Sequence, residues 1–92
     1  MLFRSLRGFI TDPAGASIPG VSVTATNVGT GQVRSTQSLD TGAYAILAIP
    51  AGNYRLTLAK SGFTTKIIDG IVLTVGSTQA VNASLSDRKS VV

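Results

Sequence analysis

Apolar and polar residues alternate with a period of two through most of this chain, and this pattern predicts β-strands separated by short turns. The clearest example is the run in which Tyr54, Leu56 and Leu58 alternate with Arg55 and Thr57. In a strand such alternation gives one apolar and one polar face. No segment repeats with the helical period, so the pattern favours an all-β fold.

Turn signals divide the chain into about seven short strands at a spacing of roughly 8–12 residues, which is typical of a β-sandwich. The segments that carry these strands lie at 6–11, 21–26, 32–38, 43–49, 54–60, 63–68, 71–75 and 81–85. Residues 32–38 are more polar than the others, so we expect them at a sheet edge. Val, Ile and Thr together supply 27 of the 92 residues, a load that favours strands over helices.

Glycine, proline and aspartate recur between these segments and are expected to make the turns. The predicted turn residues are Asp12, Gly15, Pro19, Gly20, Asp40, Gly42, Pro50, Gly52 and Gly62. Pro50 fixes its φ and Gly52 permits a positive φ, so we expect this pair to redirect the chain from one sheet to the other. Tyr44 and Tyr54 are expected in the core, with each hydroxyl hydrogen-bonded near the rim of the sandwich.

Composition limits the chain to one domain, since 92 residues support a single modest core. Apolar residues make up 43% of the chain, but no run approaches the ~20 apolar residues that span a membrane as a helix. The net charge of +4 comes from eight scattered basic residues without interleaved aromatics, so we do not expect nucleic-acid binding. Cysteine is absent, which excludes disulfides and thiolate chemistry.

The chain lacks the residues that most catalytic and metal sites use. Histidine and glutamate are both absent, which excludes an imidazole base and most zinc sites. Of the four Asp residues, Asp12, Asp40 and Asp69 stand in turn sequences, where the side chain is expected to cap its own backbone. We therefore predict a protein that is not an enzyme and that has no catalytic residue, metal or cofactor.

Four apolar residues are expected to point outward. Phe9 and Leu47 would be ordinary surface residues singly, but together with Ile67 and Ile68 they are a candidate docking patch.

Five linked motifs resemble the carboxypeptidase regulatory-like domain, in matching order and spacing. They are GFITDPAGA (8–16), IPGVSV (18–23), TQSLDTGAY (36–44), IPAGNY (49–54) and SGF (61–63). The resemblance covers about residues 6–86 and implies a seven-stranded, prealbumin-like or Ig-like Greek-key β-sandwich. The family supplies no shared catalytic residue, so these positions are structural. Residues 26–63 look most like the bacterial version associated with TonB-dependent outer-membrane receptors.

The resemblance favours a non-catalytic accessory or interaction module within a larger exported bacterial envelope protein, in the periplasm or outer membrane. On this interpretation residues 1–92 are one domain excised from a longer polypeptide, with adjacent domains or other envelope proteins as partners. One alternative is a carbohydrate- or peptide-binding module, which would use a sheet face or add a strand to the edge at residues 32–38. Another is an accessory domain that stabilises a linked metallocarboxypeptidase.

Overall fold

The computed structural model describes residues 4–74 and 78–86, and over these ranges the chain folds as an all-β sandwich of two sheets. The described residues contain eight strands and no helix. The strands are β1 (Arg4–Thr11), β2 (Ser22–Asn27), β3 (Val33–Gln37), β4 (Ala43–Ile49), β5 (Gly52–Ala59), β6 (Lys66–Leu73), β7 (Thr78–Ala80) and β8 (Ala83–Ser84).

Strand β1 is central to the first sheet, here called sheet one, which has the order β4-β1-β7 with β8 also paired to β1. The β1–β4 pair is antiparallel, whereas β7 and β8 both pair with β1 in parallel. Sheet two has the order β3-β2-β5-β6 and is antiparallel throughout. Strand β3 lies at its edge, as the polar character of residues 32–38 predicted.

The inward faces of both sheets form one core. β1 contributes Leu6 and Ile10, and β5 contributes Tyr54, Leu56 and Leu58, all at most 2% exposed. Burying one such side chain contributes about 1.5–3 kcal/mol. Among the described residues the buried apolar ones are Leu6, Ile10, Ile18, Val21, Val23, Ala25, Tyr44, Ile46, Ile49, Tyr54, Leu56, Leu58, Ile71, Leu73, Ala83 and Leu85.

The described residues form eight strands where about seven were expected, and the strand positions differ from the expected ones in the C-terminal third. Residues 66–73 form one strand, β6, where two segments were expected, and part of the second, Val75, lies outside the described residues. Of the last expected strand, 81–85, only Ala83 and Ser84 form a strand, β8. Strand β7, at Thr78–Ala80, precedes this segment and was not expected, and Val81 and Asn82 separate the two strands. Alternation alone does not reveal such a break, because its cause is a contact with β1.

Asp69 and Gly70 were expected to form a turn, and this was wrong. They lie inside β6, where Gly70 has a φ of 77° and the register against β5 shifts between Tyr54 and Leu56. This is a β-bulge, in which an extra residue on one strand is accommodated by a positive φ. The Asp69 carboxylate accepts a hydrogen bond from Arg55 Nε at 2.6 Å, and both side chains are more than half exposed.

The corner at residues 50–52 carries the chain from β4 in sheet one to β5 in sheet two, as predicted. Gly52 has a φ of 151°, and a Cβ there would approach Asn27 Nδ2 to 2.8 Å. The Tyr54 hydroxyl donates a 2.8 Å hydrogen bond to the carbonyl of Pro50. The corner therefore needs Gly52 for conformation and for space, and Tyr54 closes it from the core.

The remaining predicted turn residues lie in loops between strands. Asp12 makes the strongest local turn: its Oδ1 accepts hydrogen bonds from the backbone N–H groups of Ala14 and Ala16, both at 2.9 Å. Asp40 lies within a turn that Gly42 N–H closes onto the carbonyl of Leu39 at 2.8 Å. The other loop positions are Gly15, Pro19, Gly20 and Gly62, with positive φ at each glycine.

Candidate interaction site

The outward face of sheet one presents apolar side chains to solvent. Along β1 the residues on one side of the pleat are buried, so Arg7 and Phe9 on the other side point outward. They lie opposite Ala45 and Ala43 of β4 in the register of the sheet. Phe9 is 55% exposed. Leu47, further along β4 on the same face, is 60% exposed.

Arg7, Phe9, Ala43 and Ala45 line an open groove with a volume of about 460 Å³. We call it the outer groove, and it is lined by Arg7, Gly8, Phe9, Leu39, Ala43, Tyr44, Ala45, Ala80 and Asn82. The three alanines have small side chains, which leave space between the larger side chains of Phe9 and Leu39. Leu39 is 65% exposed and comes from the turn before β4.

Among the described residues that line the outer groove, Arg7 is the one that carries a charge. Its side chain is exposed, and within residues 4–74 and 78–86 it makes no hydrogen bond or ion pair. Arg34, by contrast, extends Nη1 to the carbonyl of Ala48 at 3.5 Å. Among the described residues the Arg7 guanidinium therefore has no side-chain or backbone partner.

The interruption between β7 and β8 forms one end of the outer groove and is fixed by contacts with β1. Val81 N–H donates to the carbonyl of Arg7 at 2.8 Å, and Phe9 N–H donates to Asn82 Oδ1 at 2.9 Å. The Asn82 side chain thus supplies an acceptor in place of a strand carbonyl. A Cβ at Gly8 would lie 1.9 Å from the carbonyl oxygen of Val81, so only glycine permits this close approach.

Tyr44 contacts the same interruption, at Val81 and Asn82, from the core side. We call this interruption the β7–β8 crossing. Its ring is buried, and its hydroxyl donates a 2.6 Å hydrogen bond to the carbonyl of Val81. Burial raises the pKa of Tyr44 to about 12, because the charged phenolate is disfavoured away from water. The two tyrosines therefore have the predicted role of core residues with bonded hydroxyls.

The four residues of the expected docking patch do not come together. Phe9 and Leu47 lie on the outer face of sheet one, whereas Ile67, 57% exposed, lies on the outer face of sheet two. Ile68 is partly buried and packs against the core. Ile67 and Ile68 are consecutive in β6, so the pleat sends their side chains to opposite faces.

Sequence reasoning missed Leu39, Arg7 and Ala45, which adjoin Phe9 in the outer groove. One signal was present at Leu39, since an apolar residue directly before an Asp-Thr-Gly turn is expected to be exposed. The placement of Arg7 beside β4 depends on strand pairing, which the sequence does not reveal.

The outer face of sheet two has a different character. Thr24 lies between Ser35 and Thr57 in the register of that sheet, and Ser22 and Thr26 extend the row of hydroxyls along β2. Apolar residues reach this face mainly toward its two edges, with Val33 on β3 and Ile67 and Val72 on β6. A hydroxyl-rich surface is well solvated, so the two outer faces differ in their suitability for apolar contact.

The described ranges contain no group of three or more His, Cys, Asp or Glu residues placed to hold a metal ion. In the same ranges no helix has the length and apolar character required to cross a membrane.

The family model of the carboxypeptidase regulatory-like domain matches residues 5–86. The chain belongs to this family. The motifs that carried the resemblance in the sequence lie mostly at the loops and corners between strands. No curated protein matches the chain.

Solved structures share the fold of this regulatory-like domain at low sequence identity. A candidate carbohydrate-binding protein from Bacteroides uniformis aligns with a TM-score of 0.72 and 17% identity, covering 89% of this chain and 40% of that one. A cohesin–X-dockerin complex from Acetivibrio cellulolyticus aligns with a TM-score of 0.66 and 20% identity, over 87% and 52%. Catechol 1,2-dioxygenase from Acinetobacter radioresistens gives 0.71 and 10% identity, over 96% and 53%.

These likenesses establish the fold alone, since an enzyme and a candidate binding protein share it. The chain spans about half or less of the length of these structures.

Proposed function

We propose that this domain is a non-catalytic accessory module of a larger exported bacterial envelope protein, and that it docks through the outer face of sheet one. The observation that carries the proposal is the difference between the two outer faces. Sheet one presents the outer groove, lined by Phe9 and Leu39, and Leu47 further along the same face, each of the three more than half exposed. Sheet two presents a row of hydroxyls along β2, and its exposed apolar residues, Val33, Ile67 and Val72, lie toward its two edges. Exposed apolar surface beside a depression is typical of a protein contact.

The composition supports a role in contact rather than chemistry. The sequence contains no histidine, glutamate or cysteine, so imidazole and glutamate bases and thiolate nucleophiles are absent. The family to which the chain belongs is a regulatory-like domain, and the solved structures that share its fold are longer chains. We infer that adjacent domains of the same polypeptide, or other envelope proteins, are the partners.

Photo-crosslinking tests which face docks. A benzoylphenylalanine at Ala45 reports on the outer groove, and the same residue at exposed Ser35 on sheet two is the matched control. We expect crosslinks from position 45, mapped by mass spectrometry to a neighbouring domain or envelope protein, and few from position 35. Equal yields from both positions, or none from 45, would contradict the proposal.

The cellular context is inferred from the resemblance of residues 26–63 to the modules of TonB-dependent receptors. Fractionation of source cells followed by immunoblotting with an antibody against the domain tests this step. A band much larger than 9.4 kDa in the outer-membrane fraction is expected. A free band near 9.4 kDa in the soluble fraction would show that the domain acts alone.

Carbohydrate binding is the second candidate, and the exposed ring of Phe9 is the observation that favours it, because aromatic rings stack on sugars. The Bacteroides uniformis neighbour, described as a candidate carbohydrate-binding protein, adds to this interpretation. Amide spectra of the labelled domain, recorded with rising concentrations of neutral oligosaccharides, test it. Shifts confined to β1 and β4 would favour the second candidate over the first.

A further inference from the structure

Over the part of the chain that the structure describes, the outer groove has one cation and an otherwise uncharged lining. Arg7 is exposed there and makes no ion pair with any residue that the structure describes. The ion pair found in these ranges, Arg55 with Asp69, belongs to sheet two. A guanidinium binds a carboxylate through two parallel N–H bonds, with more geometric specificity than an ammonium group. Among the charges that protein side chains carry, a carboxylate therefore complements Arg7.

The rest of the lining suits an apolar side chain better than a sugar. Besides Arg7, the polar side chains in this lining are those of Tyr44 and Asn82. The Tyr44 hydroxyl already donates to the carbonyl of Val81, and Asn82 Oδ1 already accepts from Phe9 N–H. A sugar carries several hydroxyls that need partners, and buried polar groups without partners are costly. Phe9, Leu39 and the alanines offer apolar contact instead.

The spacing of these groups defines the occupant further. Arg7 and Phe9 are two positions apart on β1 and point to the same side, so they are separated by roughly 7 Å at the rise of about 3.3–3.4 Å per residue of a strand. An extended segment presents its own residues i and i+2 on one side at the same spacing. An apolar side chain at i and a carboxylate at i+2 therefore match Phe9 and Arg7 together.

We propose that the outer groove binds an extended protein segment in which an apolar residue and an Asp or Glu stand two positions apart. This inference rests on the proposed function, because it names the partner chemistry of the same face. The carboxylate pairs with Arg7, and the apolar side chain lies against Phe9, Leu39 and the alanines of β4. A partner with basic residues in this segment is repelled by Arg7, so the charge also gives selectivity.

Short synthetic peptides test the proposal with the labelled 92-residue chain. The probe is acetyl-Gly-Leu-Thr-Glu-Gly-amide. One control replaces Glu with Gln, and a second exchanges Thr and Glu, so that the apolar and acidic side chains fall on opposite sides. We expect the probe to shift amide signals of β1, β4 and Ala80. The Gln control is expected to bind roughly fivefold more weakly, the upper end for an exposed ion pair. The exchanged control is expected to be weaker than the probe as well.

Two variants of the domain test whether Arg7 is the residue that pairs with the carboxylate of the peptide. Arg7→Gln is expected to weaken the probe roughly fivefold and leave the Gln peptide unchanged. Lys66→Gln is the matched control, since Lys66 is an exposed cation on sheet two, and its effect is expected to be small. Raising the salt concentration should reduce the difference between the Glu and Gln peptides.

Equal affinity for the Glu and Gln peptides, or no shift with any peptide at millimolar concentration, would overturn the inference. An oligogalacturonate that shifts the groove amides while the peptides do not would identify an acidic saccharide as the ligand and also overturn it. Crosslinks from position 45 to a partner protein that form equally well in the Arg7→Gln variant would support the proposed function but contradict the inference that the partner supplies a carboxylate. Absence of those crosslinks would count against the proposed function itself.

Discussion

Replacing Gly8 with alanine is the most direct test of how the β7–β8 crossing is built. The added Cβ would lie 1.9 Å from the carbonyl oxygen of Val81, 2.6 Å from its carbonyl carbon and 3.1 Å from Asn82 Oδ1. Two of these atoms belong to backbone, which cannot rotate away as the end of a long side chain does. Either Val81 and Asn82 stay in place and the backbone is strained, or these two residues move away from β1.

Moving away is the less costly of these two outcomes. Overpacking by a methyl group costs about 1–3 kcal/mol in well-packed cores, but those cases do not place a carbon within 2 Å of a carbonyl oxygen. Displacement breaks three hydrogen bonds: Tyr44 hydroxyl to Val81 carbonyl, Val81 N–H to Arg7 carbonyl, and Phe9 N–H to Asn82 Oδ1. At about 1 kcal/mol each, we expect Gly8→Ala to destabilise the domain by about 3 kcal/mol. Small domains have about 5–15 kcal/mol in total.

Urea unfolding followed by circular dichroism measures this loss. Gly29→Ala is the matched control, since its Cβ would meet Asn27 Oδ1 at an ordinary 3.4 Å. Its effect is expected to stay within about 0.5 kcal/mol. Asn82→Ala alone should cost about 1 kcal/mol through the lost bond to Phe9. In the Gly8→Ala background the same change should cost almost nothing, because the bond is already broken.

A Gly8→Ala variant as stable as wild type would refute this account of the crossing. Strict additivity of Gly8→Ala and Asn82→Ala would refute it in a different way, because it would show that the methyl group acts without displacing Asn82.

Three further outcomes are expected. Ser38→Ala should destabilise the domain by about 1–3 kcal/mol, because the buried hydroxyl accepts from one backbone N–H at 2.9 Å and donates to a backbone carbonyl at 2.8 Å. Ser35→Ala, at an exposed position, is the control, and both variants are measured by urea unfolding. Equal loss of stability in the two variants would contradict the prediction. The pKa of Tyr44 lies at about 12 in the folded domain, above the ordinary tyrosine value of 10.0, so the stabilisation from its neutral form is complete below pH 10 and is lost as pH rises through 12. Tyrosinate absorbance should show this late titration, and Tyr44→Phe should remove it. Asp69→Asn should change stability by less than about 1 kcal/mol, because its ion pair with Arg55 is exposed; a larger loss would show that the bulge depends on the charge.

Sequence patterns over a few residues predicted the structure correctly where interactions between near neighbours in the chain determine it. Alternation placed Tyr54, Leu56 and Leu58 in the core, and the Pro50–Gly52 corner connects the two sheets. These patterns gave a wrong prediction where pairing with a distant part of the chain determines the structure. Asp69-Gly70 has the composition of a turn, yet pairing with β5 on both sides makes it a bulge within a strand.

The candidate site was predictable only in part. The sequence marked Phe9 and Leu47 as exposed apolar residues, but it grouped them with Ile67 and Ile68, and the structure separates the two pairs. A patch is a property of pairing between strands, whereas periodicity reports only which side of its own strand a residue occupies. Membership of a shared face therefore had to come from the register of β1 with β4.

The sequence by itself determined the class of fold, the position of most strands, the corner between the sheets and the absence of histidine, glutamate and cysteine chemistry. These follow from interactions within a few residues or from composition. Tertiary structure decided the crossing at Val81 and Asn82 and the outer groove beside it. The bond from Phe9 N–H to Asn82 Oδ1 joins residues 73 positions apart. Such a contact exists only after the first and last strands have met in one sheet, which is why no local pattern foretells it.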